Sequence, residues 1–289
     1  MKRPVYPIAP SFFNDGKIDI DSTVRYISYL GQDSTIMTTA GTSQFNLLTS
    51  EEIRELNDAV IENSVQIPII GIPALSLAES LKELEYYNTK KCYPMFLYPD
   101  RFYSESNVCE FFETLADNAN KIYIHGMWMR KGTGGSWDYT SSVINRLAQH
   151  ENIKGMKEET SDIGLAYKIL TKTTRDFDII VAGGSMRRHH FLSVANPSIS
   201  FLTGVGSVYP QIAKDYFDKP KPIIDNFENP LFDVFMEIGW HPALRHALKV
   251  KGFIKEDRKP FIQISQDEKL RIESIMTKLE SKQKIAIEE

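Results

Sequence analysis

The stretch Ile153-Lys-Gly-Met-Lys-Glu158 decides the fold, because it is a short β-type run between two segments of helical length. Helices are predicted before it, over residues 140–149, and after it, from Asp162 onward. Alternation along a strand puts Gly155 and Lys157 on the same face. A strand that has a helix on either side in sequence is the repeating unit of α/β folds with parallel sheets.

The same unit recurs along the whole chain. Predicted strands cover residues 5–9, 34–38, 67–72, 93–97, 122–125, 153–158, 179–183 and 199–204. Strict alternation with helices predicts parallel strands joined by right-handed crossovers, which a closed barrel and an open doubly wound sheet both satisfy. No Gly-x-Gly-x-x-Gly follows the first strand, which weakens the nucleotide-binding open sheet. We therefore predict an α/β fold, a (β/α)8 TIM barrel over residues 1–226, with a C-terminal helical extension over 227–289 packed on it as one structural unit.

Two helices carry clear local signals. Ile20, Val24 and Ile27 stand at the i, i+4, i+7 spacing of one buried face, which predicts a helix over 20–29. Thr49-Ser-Glu-Glu52 has the capping-box pattern, in which a side-chain oxygen is followed three residues later by a glutamate. A second helix is therefore predicted to start at residue 49 or 50.

The composition excludes several classes of partner. A net charge of −4 and a pI near 5.9 provide no basic field for nucleic acid or an anionic membrane surface. The chain has no run of 18 apolar residues, so we expect no membrane-spanning segment. Cys92 and Cys109 do not form a Cys-x-x-Cys motif, and no secretory leader is present, so we expect a cytoplasmic protein.

Lys157 is the first candidate for chemistry, because catalytic groups of parallel barrels lie at the C-terminal ends of the strands. Burial disfavours the ammonium form of a lysine, and a neutral amine can attack a ketone and form an imine. The protonated imine withdraws electrons and permits C–C bond making or breaking. We expect Gly155, below the lysine, to leave space for substrate. The alternative is an ordinary strand-end lysine with its amine in solvent.

Two turns after predicted strands carry small polar residues that suit a carboxylate. Gly41, Thr42 and Ser43 follow the second strand, and their hydroxyl and N–H groups could hold an acid. Thr203-Gly-Val-Gly-Ser207 follows the eighth strand, where glycines let a backbone approach a ligand closely. Ordinary βα turns of small residues remain the alternative for both.

Tyr123 and His125 lie two residues apart on the fifth strand and share a face, so either could relay a proton in a pocket. The alternative is a buried, hydrogen-bonded side chain. Arg187-Arg-His-His190 begins a helix and could bind an anion, or could simply be a solvated first turn. Its adjacent histidines lack the i, i+4 spacing of a metal pair, and we predict no metal site.

Taken in order, these segments resemble the N-acetylneuraminate lyase / dihydrodipicolinate synthase family over nearly the whole chain. Asn152-Ile-Lys-Gly-Met-Lys-Glu158 resembles the family's Schiff-base strand, with Lys157 at the imine-forming position. Ala40-Gly-Thr-Ser-Gln-Phe-Asn-Leu-Leu-Thr-Ser-Glu-Glu52 resembles its Gly-Thr-Thr-Gly-Glu segment and the following helix start. His241-Pro-Ala-Leu-Arg-His-Ala-Leu-Lys-Val-Lys-Gly252 resembles one of its C-terminal helices.

The resemblance implies a (β/α)8 barrel followed by helices, assembled as a homotetramer from a pair of tight dimers. It also implies that Thr42 and Ser43 hold the carboxylate of a 2-oxo acid, with Gly41 and Thr42 as the pair if the alignment has no gap. The backbone at Leu202-Thr203 would line the same pocket.

The departures from the family pattern concern the mouth of the barrel. The family ends its fifth strand with a tyrosine, commonly in Tyr-Asn-x-Pro, whose hydroxyl relays protons. His125 falls at that position here, and Tyr123 lies about 7 Å lower on the strand. Tyr98 or Tyr103 could match a second tyrosine that crosses between subunits, and Arg130 could match an arginine that binds the carboxylate of the aldehyde substrate.

We therefore expect a Schiff-base lyase or aldolase that joins or cleaves pyruvate, or a related 2-oxo acid, and an aldehyde. Lys157 would form the imine, and His125, with Tyr123, would move protons. No metal or organic cofactor is implied, because the lysine itself supplies the electron sink. The alternative is an altered family member, either a sugar-acid dehydratase or hydrolase or a small-acid-binding protein.

Overall fold

The computed structural model describes residues 4–99, 104–126, 140–160, 162–172, 176–183 and 185–288. In chain order its strands are β1 (Pro4–Pro7), β2 (Ser11–Phe12), β3 (Ile18–Asp19), β4 (Thr35–Met37), β5 (Ile69–Ile72), β6 (Tyr93–Leu97), β7 (Ile122–His125), β8 (Ile153–Glu158), β9 (Asp178–Val181) and β10 (Ser200–Leu202). Within these residues eight parallel strands, β1 and β4 to β10, form a closed barrel in which β10 pairs with β1. The predicted TIM barrel is confirmed.

Helices follow the barrel strands in sequence. They are α1 (Ile20–Leu30), α2 (Ser50–Asn63), α3 (Leu77–Asn88), α4 (Glu105–Asp117), α5 (Ser141–Leu147), α6 (Ile163–Lys172), α7 (Met186–Leu192), α8 (Val205–Val208), α9 (Pro210–Asp215), α10 (Pro220–Ile223), α11 (Asn229–Ile238), α12 (Trp240–Val250) and α13 (Gln266–Glu288). A 3-10 turn covers Phe45–Leu47, and a π-helical turn covers Ile224–Glu228. In the described part of the chain, no helix is both long and apolar enough to cross a bilayer.

The sequence predicts the bounds of some strands correctly and misses others by one to three residues. β6, β7 and β8 have the bounds that the sequence predicts. β10 covers only Ser200–Leu202, although residues 199–204 were predicted: Ile199 lies before the first inter-strand pair, and Thr203 and Gly204 lie after the last one. The first strand, predicted over 5–9, is Pro4–Pro7, because the apolar residues Ile8 and Ala9 continue beyond the last inter-strand pair, Pro7 with Met37.

Side-chain caps set the starts of six helices, α1 to α5 and α7. The Thr49 hydroxyl accepts the N–H of Glu52, and the Glu52 carboxylate accepts the N–H of Thr49, so the predicted capping box is confirmed. One-sided caps at other helix starts come from Asp19, Ser76, Ser104, Thr140 and Ser185. Each cap satisfies a backbone N–H that the helix leaves without an internal partner.

Apolar side chains fill the barrel beneath its C-terminal opening. The cluster consists of Val5, Met37, Ile69, Met95, Tyr123, Ile180 and Leu202. Gly155 lies in this region, where a Cβ would stand 2.2 Å from the backbone oxygen of Asp178. The expectation that Gly155 leaves space for substrate is therefore wrong, because the neighbouring strand occupies that space.

The antiparallel pair of β2 and β3 was not predicted, because residues distant in sequence hold it. It forms a short hairpin between β1 and α1. Arg245 donates to the carbonyl oxygen of Pro10 at 2.7 Å, and Arg258 donates to that of Gly16 at 2.9 Å. Both arginines lie more than 200 residues further along the chain, so no local pattern reveals this contact.

The last three helices form the predicted extension, with a non-helical segment at 251–265 between α12 and α13. α11 and α12 pack on each other, and both pack on α13. The predicted domain boundary between residues 226 and 227 falls inside the π-helical turn, which runs directly into α11. The start of α12 lies over the C-terminal ends of the strands, and this placement shapes the site.

Candidate active site

A cavity of about 260 Å³ opens at the C-terminal ends of the barrel strands. Its wall combines strand ends with the start of α12, as expected for a site built from the loops of a parallel barrel. The lining residues are Pro7, Thr39, Gly41, Thr42, Lys157, Glu159, Gly183, Leu202, Thr203, Met236, Trp240 and His241.

Lys157 points into the barrel near the end of β8 and is only 3% exposed. Its Nζ lies 2.8 Å from Oε2 of Glu159 and 3.2 Å from Nε2 of His125, the last residue of β7. The same Glu159 oxygen is 3.7 Å from Nδ1 of His125. An amine, a carboxylate and an imidazole therefore converge at one point of the cavity.

His125 is fully buried, and this sets its protonation. Burial, and next the charge of Lys157, hold the pKa of His125 well below its ordinary value. The ring is therefore neutral near pH 7 and can accept a hydrogen bond at Nε2. An ammonium group only donates, so the charged lysine would be the donor in this contact. A neutral base thus stands beside the amine.

The end of β8 is anchored from the opposite face. Glu158 points away from the cavity, is fully buried, and accepts from Arg188 at 2.9 Å and from the N–H of Thr160 at 2.8 Å. Burial raises the pKa of the Glu158 carboxyl, and the Arg188 guanidinium opposes that rise. This pair holds the strand end, so Lys157 stays directed inward.

α12 closes one side of the cavity with two aromatic rings. The Trp240 ring lies against the backbone of Gly204, where a Cβ would stand 1.8 Å from Cη2 of the indole. The His241 ring lies 3.3 Å from the position of a Cβ at Gly41. Burial first, and then Lys157, lowers the pKa of His241. The two glycines leave the room in which these rings reach the lysine cavity.

Residues 2–279 match the model of the Dihydrodipicolinate synthetase family. The chain belongs to this family. It is an enzyme of the class I, Schiff-base aldolase type that the resemblance implied.

Individual relatives of this family are distant in sequence but similar over their full length. The 4-hydroxy-tetrahydrodipicolinate synthase of Archaeoglobus fulgidus is 22% identical over 285 residues, which cover 93% of this chain and 95% of that protein. The dihydrodipicolinate synthase of Thermotoga maritima superposes with a TM-score of 0.82 at 18% identity, over 96% of this chain and 99% of that chain. The N-acetylneuraminate lyase of Fusobacterium nucleatum gives the same TM-score, identity and coverage. These two structures share the barrel fold.

In this member of the dihydrodipicolinate synthetase family, the structure brings together most of the predicted site residues. Gly41, Thr42, Leu202 and Thr203 line the same cavity as Lys157. His125 lies directly behind the amine. Strand ends β4, β7, β8 and β10 therefore meet at one opening, as the barrel requires.

Ser43 and Tyr98 occupy other surroundings. Ser43 is fully buried, and its hydroxyl donates to the carbonyl oxygen of Ile8 and accepts the N–H of Thr39, which ties the loop to the barrel. The ring of Tyr98 packs edge-on against Phe111 of α4 with centroids 5.4 Å apart. Neither residue is part of the cavity wall given above.

Tyr123 lies one layer below the lysine. It pairs with Gly155 in the barrel register, whereas His125 pairs with Lys157. The Tyr123 hydroxyl donates to Asp178 at 2.6 Å, and burial is the main cause that raises its pKa. The structure therefore does not bring the Tyr123 hydroxyl to the cavity. Predicted positions Arg130 and Tyr103 lie outside the described residues.

The sequence did not single out Glu159, Trp240 or His241, which all line the cavity. Glu159 could have been found, because it lies two residues after Lys157 and strand alternation extended by one position places both on one face. Trp240 and His241 have no such local signal, since a distant helix brings them to the strand ends. Among the residues that the structure describes, no group of three or more His, Cys, Asp or Glu could hold a metal ion.

Proposed function

We propose that this chain forms a Schiff base between Lys157 and a 2-oxo acid such as pyruvate, and makes or cleaves a C–C bond between that acid and an aldehyde. The observation that carries the proposal is a lysine amine, 3% exposed, in a cavity at the C-terminal strand ends. A positioned amine can add to a ketone, and the resulting imine stabilises the carbanion that C–C chemistry needs.

The cavity also contains partners for the rest of a 2-oxo acid. Thr42 and the backbone at Leu202-Thr203 lie on the same wall as the lysine and would hold the carboxylate. His125 touches the amine and would relay protons between the nitrogen and the substrate. The chain itself supplies every group that these roles require.

Borohydride trapping tests the proposal directly. Pyruvate and borohydride should leave a reduced adduct on Lys157, which peptide mass spectrometry locates, and Lys157→Met should abolish it. Lys154→Met is the matched control, because Lys154 lies on the same strand but pairs outside the cavity with Asp178 at 3.5 Å. An absence of adduct with several 2-oxo acids, or an adduct that survives in Lys157→Met, would contradict the proposal.

A second candidate is a sugar-acid dehydratase or hydrolase that uses the same imine. His125 favours it, because the family's usual tyrosine is missing at this strand end. The products separate the two reactions: a 2-oxo acid and an aldehyde indicate the aldolase, whereas loss of water from an intact carbon chain indicates the dehydratase.

We also propose that the chain assembles as a homotetramer, a dimer of dimers. Large apolar side chains are exposed on α6 and at the end of α7, which pack against each other: Tyr167 is 47%, Phe191 60% and Val194 84% exposed. Exposed apolar patches of this kind mark interfaces between chains. Light scattering should give a tetramer that Phe191→Asp splits and Val65→Asp, at a comparably exposed valine after α2, does not. A monomeric wild type would contradict the assembly.

A further inference from the structure

Glu159 is an ionisable group of the cavity to which the proposed reaction assigns no role. Its carboxylate contacts the Nζ of Lys157 at 2.8 Å and lies 3.7 Å from Nδ1 of His125. The side chain is 30% exposed and lines the cavity, so it is in contact both with the reacting nitrogen and with the space that substrate would fill.

We propose that Glu159 is a catalytic residue, the base that takes a proton from the Lys157 ammonium when the imine forms and returns it to the departing water. This inference rests on the proposed Schiff-base function. It assigns the activation of the amine to a carboxylate two residues further along the chain, just beyond the end of β8, and it leaves His125 for the later proton transfers.

The step balances in atoms and charge. Glu159 takes one proton from the ammonium, and the neutral amine forms a bond to the keto carbon as the C=O π bond breaks. A proton then moves from the nitrogen to the new alkoxide, for which His125 stands 3.2 Å from the nitrogen. Glu159 returns its proton to the hydroxyl, the C–O bond breaks, and water leaves. The net change is ammonium plus ketone to protonated imine plus water.

Geometry favours Glu159 over His125 for the first transfer. The carboxylate oxygen is closer to the nitrogen than the imidazole is, at 2.8 Å against 3.2 Å. A buried imidazolium next to the lysine is strongly disfavoured, whereas a carboxyl group that gains a proton loses its charge. Substrate that displaces water from the cavity also weakens the hydration of the ion pair, which favours the neutral acid and amine.

Charged and titratable groups from several elements surround this carboxylate. Lys157 and Glu158 precede it in the chain, and His125 lies near it on β7. The charge of Glu159 also acts on His241, the second residue of α12.

The test is the rate at which cyanoborohydride and pyruvate label Lys157, followed by intact mass. Glu159→Gln keeps the shape and removes the charge, so labelling should slow by about 100-fold, a usual contribution of a positioned acid–base group. Glu159→Asp should recover part of the rate, and added formate should accelerate Glu159→Ala. Thermal melting establishes that each variant is folded.

The possible failures are distinguishable. A wild type that is never labelled overturns the proposed function and this inference with it. A labelled wild type with a Glu159→Gln variant that reacts equally fast overturns only the role of Glu159. A faster variant does so too, because a carboxylate that merely held the ammonium would, when removed, release the amine. If Glu159→Gln fails to fold, formate that leaves Glu159→Ala unchanged overturns the role.

Discussion

Replacement of Gly204 by alanine should disturb the cavity through one defined contact. A Cβ at this position would stand 1.8 Å from Cη2 and 2.2 Å from Cζ2 of Trp240. The backbone at Gly204 has φ −106° and ψ −56°, which alanine adopts without strain, so the effect of the methyl group is steric. The indole would have to retreat by roughly 1.5–2 Å to restore ordinary van der Waals contact.

The expected size follows from the packing around the ring. Trp240 packs against Phe232 and Phe235, with centroids 5.5 and 5.7 Å away, so it has little freedom to move back. Overpacking of this kind costs about 1–3 kcal/mol of unfolding free energy. At about 2–4 °C per kcal/mol, the value for chains of about 150–250 residues, the melting temperature should fall by roughly 2–12 °C. Labelling of Lys157 by pyruvate should weaken as well, since the displaced ring lines the same cavity.

A double-mutant cycle isolates the contact. Trp240→Ala alone should destabilise the protein. Gly204→Ala added to Trp240→Ala should cost little further stability, because the clashing ring is gone. The double variant should therefore lose less stability than the two single variants together. Gly164→Ala is the control, because only a flexible carboxylate oxygen lies near that position, at 3.2 Å. A Gly204→Ala protein that melts like the wild type, or a penalty that persists without the indole, would refute the reasoning.

Three further predictions concern charge and capping. Arg188→Ala leaves Glu158 buried without its cation and should cost about 3–5 kcal/mol of unfolding free energy, measured by thermal denaturation. This loss should shrink as the pH falls and the Glu158 carboxyl is protonated. An unchanged melting temperature would contradict the anchoring role. Burial raises the pKa of Glu228 from 4.5 to about 7, so the folded state retains a proton that the unfolded chain releases. Relative to Glu228→Gln, the wild type should therefore lose unfolding free energy on the order of 2 kcal/mol between pH 4.5 and 7 in urea titrations, and parallel pH curves for the two proteins would contradict this. Thr49→Ala removes the capping box and should cost about 1 kcal/mol in the same titration, whereas Ser50→Ala should cost little; equal losses would argue against the cap.

Local patterns in the sequence predicted the barrel and its central lysine. Alternation with period two is a property of any strand, so it placed Lys157 on one face of β8 before any neighbour was known. The capping box at Thr49 is equally local, because its two hydrogen bonds join residues three apart. The same alternation, extended by one residue, would have reached Glu159, although the sequence alone could not say that this carboxylate contacts the amine.

Contacts between distant segments decided the rest of the site. Trp240 and His241 reach the lysine cavity only because α12 packs over Gly204 and Gly41, and no periodic signal links those positions. Tyr123 looked equivalent to His125 along its strand, but Asp178 on β9 accepts its hydroxyl one layer lower. The physical reason is that backbone geometry repeats along a single segment, whereas the partner of an inward side chain depends on which other segment fills the adjacent space.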